Sequence, residues 1–297
     1  MAMPEPIRTR DVIIEEELRS RAAEVERLMN ADLVSYMGLI EEENVSSLKV
    51  VLEAIEPRRD QLALNFETYG GYVESAERMA NIVRHHYKRV DFLITTFAFS
   101  AGTVLVMSGD RIWMDYSASL GPIDPQVRRS GADVYVPALG YLEQYRRLIE
   151  KSRQGKLTQA ELYYLIENFD PAELYQYEQA RDLSIALIKE WLVEYKFRTW
   201  KGSRTARVTR RMKEERAAEI AHMLNETERW HSHSRGISMA VARRDLKLLI
   251  EDIDEDVGDR PDMRDALTAY NSLLFDYRMR RGHEEFVLDS VGGYFGN

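Results

Sequence analysis

Apolar runs of strand length alternate with stretches of helical periodicity through the first part of the chain. Strands are predicted at 33–38, 61–66, 90–96, 111–115 and 118–120. Helices are predicted between them at 48–55, 73–83 and 101–108, the first with Ser46 or Ser47 as its cap. This alternation favours parallel strands joined by right-handed crossovers.

The rest of the chain shows mostly helical patterns. Thr158 and Glu161 have the spacing of a capping box, and Asp170 followed by Pro171 begins a helix that is predicted to reach about residue 197. Further helices are predicted over 207–224, 238–249 and 261–279. The expected organisation is an N-terminal helical arm (1–31), an α/β core (32–137), a helical extension that completes the fold (138–286) and a flexible, glycine-rich tail (287–297).

Composition narrows the class of protein. The 297 residues include no cysteine, which excludes disulfides, thiolate metal sites and a cysteine nucleophile and favours a cytoplasmic location. No apolar run has the length of a membrane span, and no cofactor or metal motif is found. The net charge of −9 disfavours nucleic acid as a partner. A basic run at 196–213 and an acidic run at 251–259 are expected to be solvated and to pair with each other or across subunits. Binding of nucleic acid or anionic lipid by the basic run is the alternative.

One serine, Ser100, stands where a predicted strand gives way to a helix of small residues. Gly70 and Gly71 form a turn at the end of another predicted strand. Ligands bind at the carboxyl ends of parallel strands, so the serine and the glycines are expected to face one pocket. A serine nucleophile needs a base, and the attacked carbonyl needs N–H donors, for which the amides of Gly71 and Ala101 are the candidates. The alternative is that Ser100 only caps its helix.

Short motifs follow one another in a definite order. They are Thr68-Tyr69-Gly70-Gly71, Ala98-Phe99-Ser100-Ala101-Gly102-Thr103, Gly109-Asp110-Arg111-Ile112-Trp113-Met114-Asp115 and Leu120-Gly121-Pro122-Ile123-Asp124-Pro125-Gln126, with a weaker echo at Trp230-His231-Ser232-His233. Together they resemble the serine dehydrogenase proteinase family and the signal-peptide-peptidase-like branch of the ClpP–crotonase superfamily. The strong resemblance covers residues 32–137.

The resemblance implies an α/β fold with a ClpP/crotonase-like spiral core of ββα and βαβ repeats, a mostly parallel sheet and a C-terminal helical extension. It implies a serine peptidase that hydrolyses peptide bonds through an acyl-enzyme on Ser100, with Gly70, Gly71 and Ala101 forming the oxyanion hole. It also implies a trimer- or tetramer-based homo-oligomer without a cofactor. Peptides or proteins would be its substrates, and a membrane or ATPase partner is left open.

The general base is the missing part of the pattern. ClpP-type proteases carry a histidine about 25 residues after the serine, where this chain has Gly121–Pro125 and no histidine. His233 in the echo segment is the candidate base, with His231 below it and Asp124 as a candidate to orient a base. The lysines Lys151 and Lys156 are expected to be surface residues. Two alternatives therefore stay open, a scaffold that keeps the fold without catalysis and a crotonase-type acyl-CoA enzyme.

Overall fold

The main sheet organises the molecule. The computed structural model describes residues 9–123, 126–128, 135–202, 207–230, 235–255 and 262–296. Its strands are β1 Asp32–Gly38, β2 Gln61–Glu67, β3 Arg89–Ile94, β4 Phe97–Ala98, β5 Arg111–Met114, β6 Ser119–Leu120, β7 Gln126–Arg128, β8 Tyr135–Pro137, β9 Ile237–Ser238, β10 Glu251–Asp252, β11 Phe286–Ser290 and β12 Gly293–Gly296.

Within the described residues the main sheet has seven strands in the order β10-β5-β3-β2-β1-β11-β12. The first five are parallel to their neighbours, with Val34 opposite Leu64 and Leu62 opposite Val90. Only β11 and β12 run antiparallel. Crossover helices follow β1, β2 and β4, which is how neighbouring parallel strands must be joined. The predicted mixed α/β class with a mostly parallel sheet is confirmed.

Helices cover both faces of the sheet. They are α1 Thr9–Met29, α2 Glu42–Glu53, α3 Val73–His86, α4 Ala101–Val106, α5 Ala138–Arg153, α6 Gln159–Asn168, α7 Pro171–Trp191, α8 Arg210–Asn225, α9 Thr227–Trp230, α10 Met239–Arg244 and α11 Met263–Arg281, and a π-helical turn, Leu192–Lys196, extends α7. In the described part of the chain, none of these helices combines the length and the apolar composition that a membrane crossing requires.

Two buried cores follow from the period of two in the strands. Val34 and Tyr36 of β1 point into a large core shared with α2, α3, α4, α7 and α8. Leu33 and Met37 point the other way, into a core closed by α1 and α11. Strands buried on both faces are nearly continuously apolar, which explains why 33–38 and 61–66 could be recognised as strands.

A second, smaller sheet leads the chain to the corner at Ser100. Strand β4 pairs in parallel with β6, and β6 pairs antiparallel with β9. A bridge between Thr68 and Ala98 ties this sheet to the end of β2. The carboxyl end of β2 and the beginning of α4 therefore lie side by side.

The expectation of a flexible tail at 287–297 is wrong for the described residues. Strand β11 is buried throughout and pairs with β1, with Val34 opposite Ser290, and β12 pairs with β11. Val287 and Leu288 have no exposed surface. Gly292 lies in the tight turn between the two strands and Gly293 begins β12, so the glycine-rich composition reflects a turn and not disorder. The other domain boundaries remain predictions.

The predicted helix caps are confirmed for α6 and α7 and are wrong for α2. Thr158 and Glu161 form the predicted capping box, and Asp170 accepts the N–H groups of Ala172 and Glu173 at the start of α7. Ser46 and Ser47 are not caps, because α2 begins earlier and both hydroxyls donate to carbonyls one turn back within it. The prediction failed because the polar first turn of α2 gave no apolar periodicity.

Candidate active site

Ser100 occupies a strained corner between β4 and α4. Its φ is +51° and its ψ −120°, a conformation that costs a residue other than glycine about 1–3 kcal/mol. The side chain makes no capping hydrogen bond to α4, although the residue stands at the cap position. A residue that only caps its helix needs no positive φ, so simple capping does not explain Ser100. The residue has no exposed surface, and a substrate can reach it only when the covering groups move.

Gly70 lies directly against Ser100. A methyl group at Gly70 would stand 2.8 Å from Cβ of Ser100, 2.9 Å from the carbonyl oxygen of Phe99 and 3.4 Å from the amide nitrogen of Ala101. The φ of Gly70 is +110°, which side chains rarely allow. Both its conformation and its surroundings therefore require glycine. The structure brings Gly70, Ser100 and Ala101 together, as the sequence predicted.

The backbone of the glycine turn is held on one side by Ile40. The N–H of Ile40 donates to the carbonyl of Gly70 at 2.8 Å, and the N–H of Tyr72 donates to the carbonyl of Ile40 at 3.0 Å. Gly71, the bridge partner of Ile40, must turn its own N–H to the opposite side. A methyl group at Gly71 would lie 2.8 Å from the carbonyl carbon of Ile40, so this position too requires glycine.

Two threonine hydroxyls brace the corner. Oγ1 of Thr68 accepts the N–H of Gly70 at 2.9 Å. Oγ1 of Thr103 lies 2.8 Å from the carbonyl oxygen of Ala98 and 2.9 Å from that of Gly121, and it accepts the N–H of Gly121 at 3.0 Å. Both threonines are buried. Sequence reasoning quoted them within motifs but gave them no role, because a threonine in a motif does not show which backbone groups its hydroxyl will meet.

An aromatic cluster borders the glycine turn. The rings of Tyr69 and Phe97 are 4.4 Å apart between centroids, and those of Phe97 and Phe99 are 5.1 Å apart. Tyr69 remains 65% exposed. Beside Tyr69 and Phe97 opens a cavity of about 410 Å³, on the side of the ion pair between Arg278 and Glu67.

The candidate base and its orienting carboxylate, His233 and Asp124, lie outside the described residues, as does His231. The described residues around them are well anchored. The N–H of Ile123 donates to the carbonyl of Leu224 at 2.9 Å, and Trp230 donates to the carbonyl of Met223 in the same turn of α8. On the far side of the 231–234 segment, Ser119 of β6 pairs with Ser238 of β9.

Lys151, Lys156 and Lys196 lie near other groups of the chain. Lys151 pairs with Glu161 at 2.6 Å, and Lys156 donates to Gln154, so both are surface residues as predicted. Burial lowers the pKa of Lys196 to about 8, but this lysine faces Glu251 and Asp91. Asp91 lies near the amino end of β3, at the edge of the sheet away from Ser100.

The remaining histidines of the described residues are also accounted for. His85 and His86 end α3, which runs back from the carboxyl edge of the sheet to its amino edge. His222 is exposed on α8. Nδ1 of His283 lies 3.1 Å from the hydroxyl of Tyr294, on the far edge of the sheet. Among the described residues, no group of three or more acidic or histidine side chains is placed to hold a metal ion.

Known proteins are similar to part of this sequence. The sequence model of ClpP-like SDH-type serine proteinases matches residues 21–147. Two uncharacterized proteins of Methanocaldococcus jannaschii are 32% identical over 103 residues and 33% identical over 91 residues, or 34% and 30% of this chain. The chain spans about a third of the length of these curated relatives, 33% and 32%.

Solved structures show a more distant likeness. A serine-to-alanine mutant of the 1510-N membrane-bound stomatin-specific protease is 12% identical, with a TM-score of 0.42 over 74% of this chain and 76% of the other. The ClpP catalytic domain of Plasmodium falciparum is 10% identical, with a TM-score of 0.43 over 86% of this chain and 98% of the other.

The matched segment contains the features described above. It includes β1 to β5, the glycine turn and the Ser100 corner, and the same residues carry the motifs. Residues 21–147 of this chain are therefore similar to the ClpP-like SDH-type serine proteinases.

Proposed function

We propose that this protein is a serine peptidase with Ser100 as its nucleophile. The observation that carries the proposal is the strained Ser100 corner pressed against the Gly70–Gly71 turn, beside the amide of Ala101. A positive φ at a serine that does not cap its helix is a cost to folding, and strain of this kind concentrates at functional sites. The family match over the same residues supports the same reading.

In the proposed reaction the base takes the proton of the Ser100 hydroxyl as Oγ attacks the carbonyl carbon of the peptide bond. The N–H groups of Gly71 and Ala101 donate to the oxygen as it gains negative charge. The amine leaves with the proton from the base, and an acyl-enzyme remains on Oγ. Water, deprotonated by the same base, then releases the acid and restores the serine.

His233 is our proposed base, with Asp124 orienting it. The support is the anchoring of the described neighbours, since Ile123 is held at the end of α8 and β9 is paired with β6 next to β4.

The expected working form is a homo-oligomer, trimer- or tetramer-based, acting on peptide or protein substrates. The cysteine-free sequence is compatible with work in the reducing cytoplasm.

A fluorophosphonate probe tests the nucleophile. The wild-type protein should be labelled once, Ser100→Ala should not be labelled, and the exposed Ser117→Ala should be labelled like the wild type. His233→Ala should slow labelling by about 10²–10⁴-fold, whereas His231→Ala should have little effect. Equal labelling of the wild type and Ser100→Ala would disprove the proposed nucleophile. A folded wild-type protein that neither takes the probe nor cleaves peptides would favour the scaffold alternative.

A further inference from the structure

The cavity of about 410 Å³ lies at the carboxyl edge of the main sheet, next to the glycine turn. The ends of β1 and β2, the first turn of α2 and the segment before β11 surround it. In sheets of parallel strands this edge is where ligands bind. Its volume falls within the range of about 300–1,000 Å³ that is typical of ligand pockets, so it has room for side chains of a peptide.

One wall of the cavity is aromatic and apolar. The ring of Tyr69 packs against that of Phe97, and Tyr69 still exposes most of its surface. Leu39, which directly follows β1, is 39% exposed and lines the same cavity. Apolar surface of this kind suits the methylene chain of a long side chain, and an aromatic ring attracts a cation that lies over its face.

The rest of the lining is acidic. It contains one basic residue, Arg278, which pairs with Glu67 at 3.3 Å and donates to the carbonyls of His283 and Glu284. Four further glutamates make no ion pair with any described residue. They are Glu41, Glu43, Glu284 and Glu285. The one cation of the cavity is therefore already engaged, and an excess of negative charge remains.

These glutamates are spread around the cavity and do not meet at one point. Glu41 and Glu43 lie at the start of α2, whereas Glu284 and Glu285 precede β11. In the part of the chain that the structure describes, no three acidic or histidine side chains are placed to hold a metal ion. Negative charge that is distributed beside an apolar wall complements a cationic group at the end of an apolar chain.

We infer that this cavity binds a lysine or arginine side chain of a peptide, and that it directs the peptidase to basic sequences. The binding is argued from the cavity alone, while its role in choosing substrates rests on the proposed function of Ser100. Gly70 lies against Ser100, and Tyr69 directly precedes Gly70, so the cavity begins beside the reactive corner. The basic residue of the substrate therefore stands a few positions from the bond that is cleaved.

Other side chains fit the cavity less well. An acidic side chain would meet glutamates that have no partner, and this repulsion acts against acidic peptides. A neutral apolar side chain would cover Leu39 and Tyr69 but would also take carboxylates out of water without pairing them. A long basic side chain satisfies both the apolar wall and the acidic one.

Peptide binding to Ser100→Ala tests the inference without cleavage. Two fluorescein-labelled dodecapeptides are compared by fluorescence anisotropy, one with a central Lys-Arg pair and one with Gln-Gln in its place. The basic peptide should bind about tenfold more tightly at low salt, and the preference should shrink at high salt. Equal affinities of the two peptides at low salt would overturn the inference.

Removal of charge locates the site. In the Ser100→Ala protein, Glu43→Gln combined with Glu285→Gln should abolish most of the preference for the basic peptide. Glu16→Gln combined with Glu178→Gln is the matched control, because it removes the same charge from exposed glutamates of α1 and α7 that do not line the cavity. All four glutamates are exposed, so both double variants should keep the circular dichroism spectrum. An equal loss of preference in both would mean that the overall charge attracts the peptide, and would overturn the inference.

This test and the probe labelling can fail separately. Labelling at Ser100 without any preference for the basic peptide would leave the peptidase proposal intact and overturn the cavity as a site for basic side chains. Preferential binding that depends on Glu43 and Glu285, in a protein that the probe does not label, would support the cavity and count against Ser100 as the nucleophile.

Discussion

At the scale of single residues, the groups around Ser100 leave little room for other side chains or other backbone positions. Gly70 has no room for a side chain, and Thr103 meets backbone groups on two sides, at Ala98 and Gly121. These contacts hold the beginning of α4 against the turn at Gly121. The corner keeps its strained φ because its neighbours leave Ser100 no relaxed position.

Gly70→Ala should abolish probe labelling at Ser100. The added methyl group would stand 2.8 Å from Cβ of Ser100, at a φ of +110° that alanine adopts only at a cost. Gly155→Ala is the matched control, because Gly155 also has a positive φ (+66°) but nothing lies within 4 Å of the added group. Both variants should lose about 1 kcal/mol or more of stability.

Labelling and urea unfolding, measured on both variants, separate the two effects. Only Gly70→Ala should lose labelling while it still folds. Normal labelling of Gly70→Ala would mean that the space beside Ser100 is not needed for its reactivity.

Sequence reasoning identified Ser100, Gly70 and Ala101 as neighbours because parallel strands end at one edge of a sheet. It could not assign the roles of Thr68 and Thr103, whose partners are backbone atoms set by tertiary packing. The roles of His233 and Asp124 remain predictions.

At the scale of elements, structure that is signalled by neighbouring residues was predicted correctly. Structure that depends on a distant partner strand was missed. Strands β1, β2, β3 and β5 and the capping box of α6 were predicted because their signals lie within a few residues of one another. Strand β11 was missed because its partner β1 lies at the other end of the sequence. No local pattern in a short apolar run shows such a partner.

The same strand β11 carries a buried carboxyl group. Asp289 accepts a hydrogen bond of 2.6 Å from the hydroxyl of Tyr270, which in turn contacts Ser35 of β1 at 2.8 Å. Burial, with a smaller contribution from Glu15 of α1, raises the pKa of Asp289 to about 7, against the opposing effects of Tyr270 and Arg19. The folded protein therefore keeps this proton to a higher pH than the unfolded chain does.

This difference makes stability depend on pH. Between the ordinary carboxyl pKa of about 4 and the folded pKa of about 7, the unfolded state has lost the proton and the folded state holds it. Asp289 should therefore lower the free energy of unfolding by about 1.4 kcal/mol for each pH unit of rise in this window, and by nothing more above it.

Asp289→Asn should remove that dependence. Urea titrations at pH 5 and pH 7.5 give the free energy of unfolding of the variant and of the wild type. The difference, variant minus wild type, should be larger at pH 7.5 than at pH 5. Asp265→Asn, on an exposed aspartate of α11, serves as the control and should show a constant difference. A constant difference for Asp289→Asn as well would show that Asp289 is ionised in the folded protein at both pH values.

At the scale of the whole molecule, several described residues of the two charged runs form ion pairs with residues outside the other run. Arg210 and Arg211 pair with acidic residues one turn ahead in α8, and Arg198 pairs with Asp110. Asp252 and Asp254 of the acidic run pair with Arg243 and Arg264. Between the two runs themselves, Lys196 faces Glu251.

The closing of the sheet by β11 and β12 leads to a prediction about chain length. A chain that ends at residue 285 leaves the outer edge of β1 unpaired and removes the buried Phe286, Val287 and Leu288. It should aggregate, because open strand edges pair between molecules. A chain that ends at residue 291 keeps β11 and should remain soluble, with a lower melting temperature. Solubility and thermal unfolding of the two chains give the comparison, and a soluble, cooperatively folded chain ending at 285 would contradict it.

The position of β11 also sets an order of events during synthesis. Strand β1 leaves the ribosome early, and its partner β11 is made nearly the whole length of the chain later. At about 5–20 residues per second, the growing polypeptide carries an open sheet edge for roughly 10 to 50 s. Folding of the central sheet is thus completed only when residue 290 has been added, and until then the nascent chain depends on its surroundings to keep that edge from other strands.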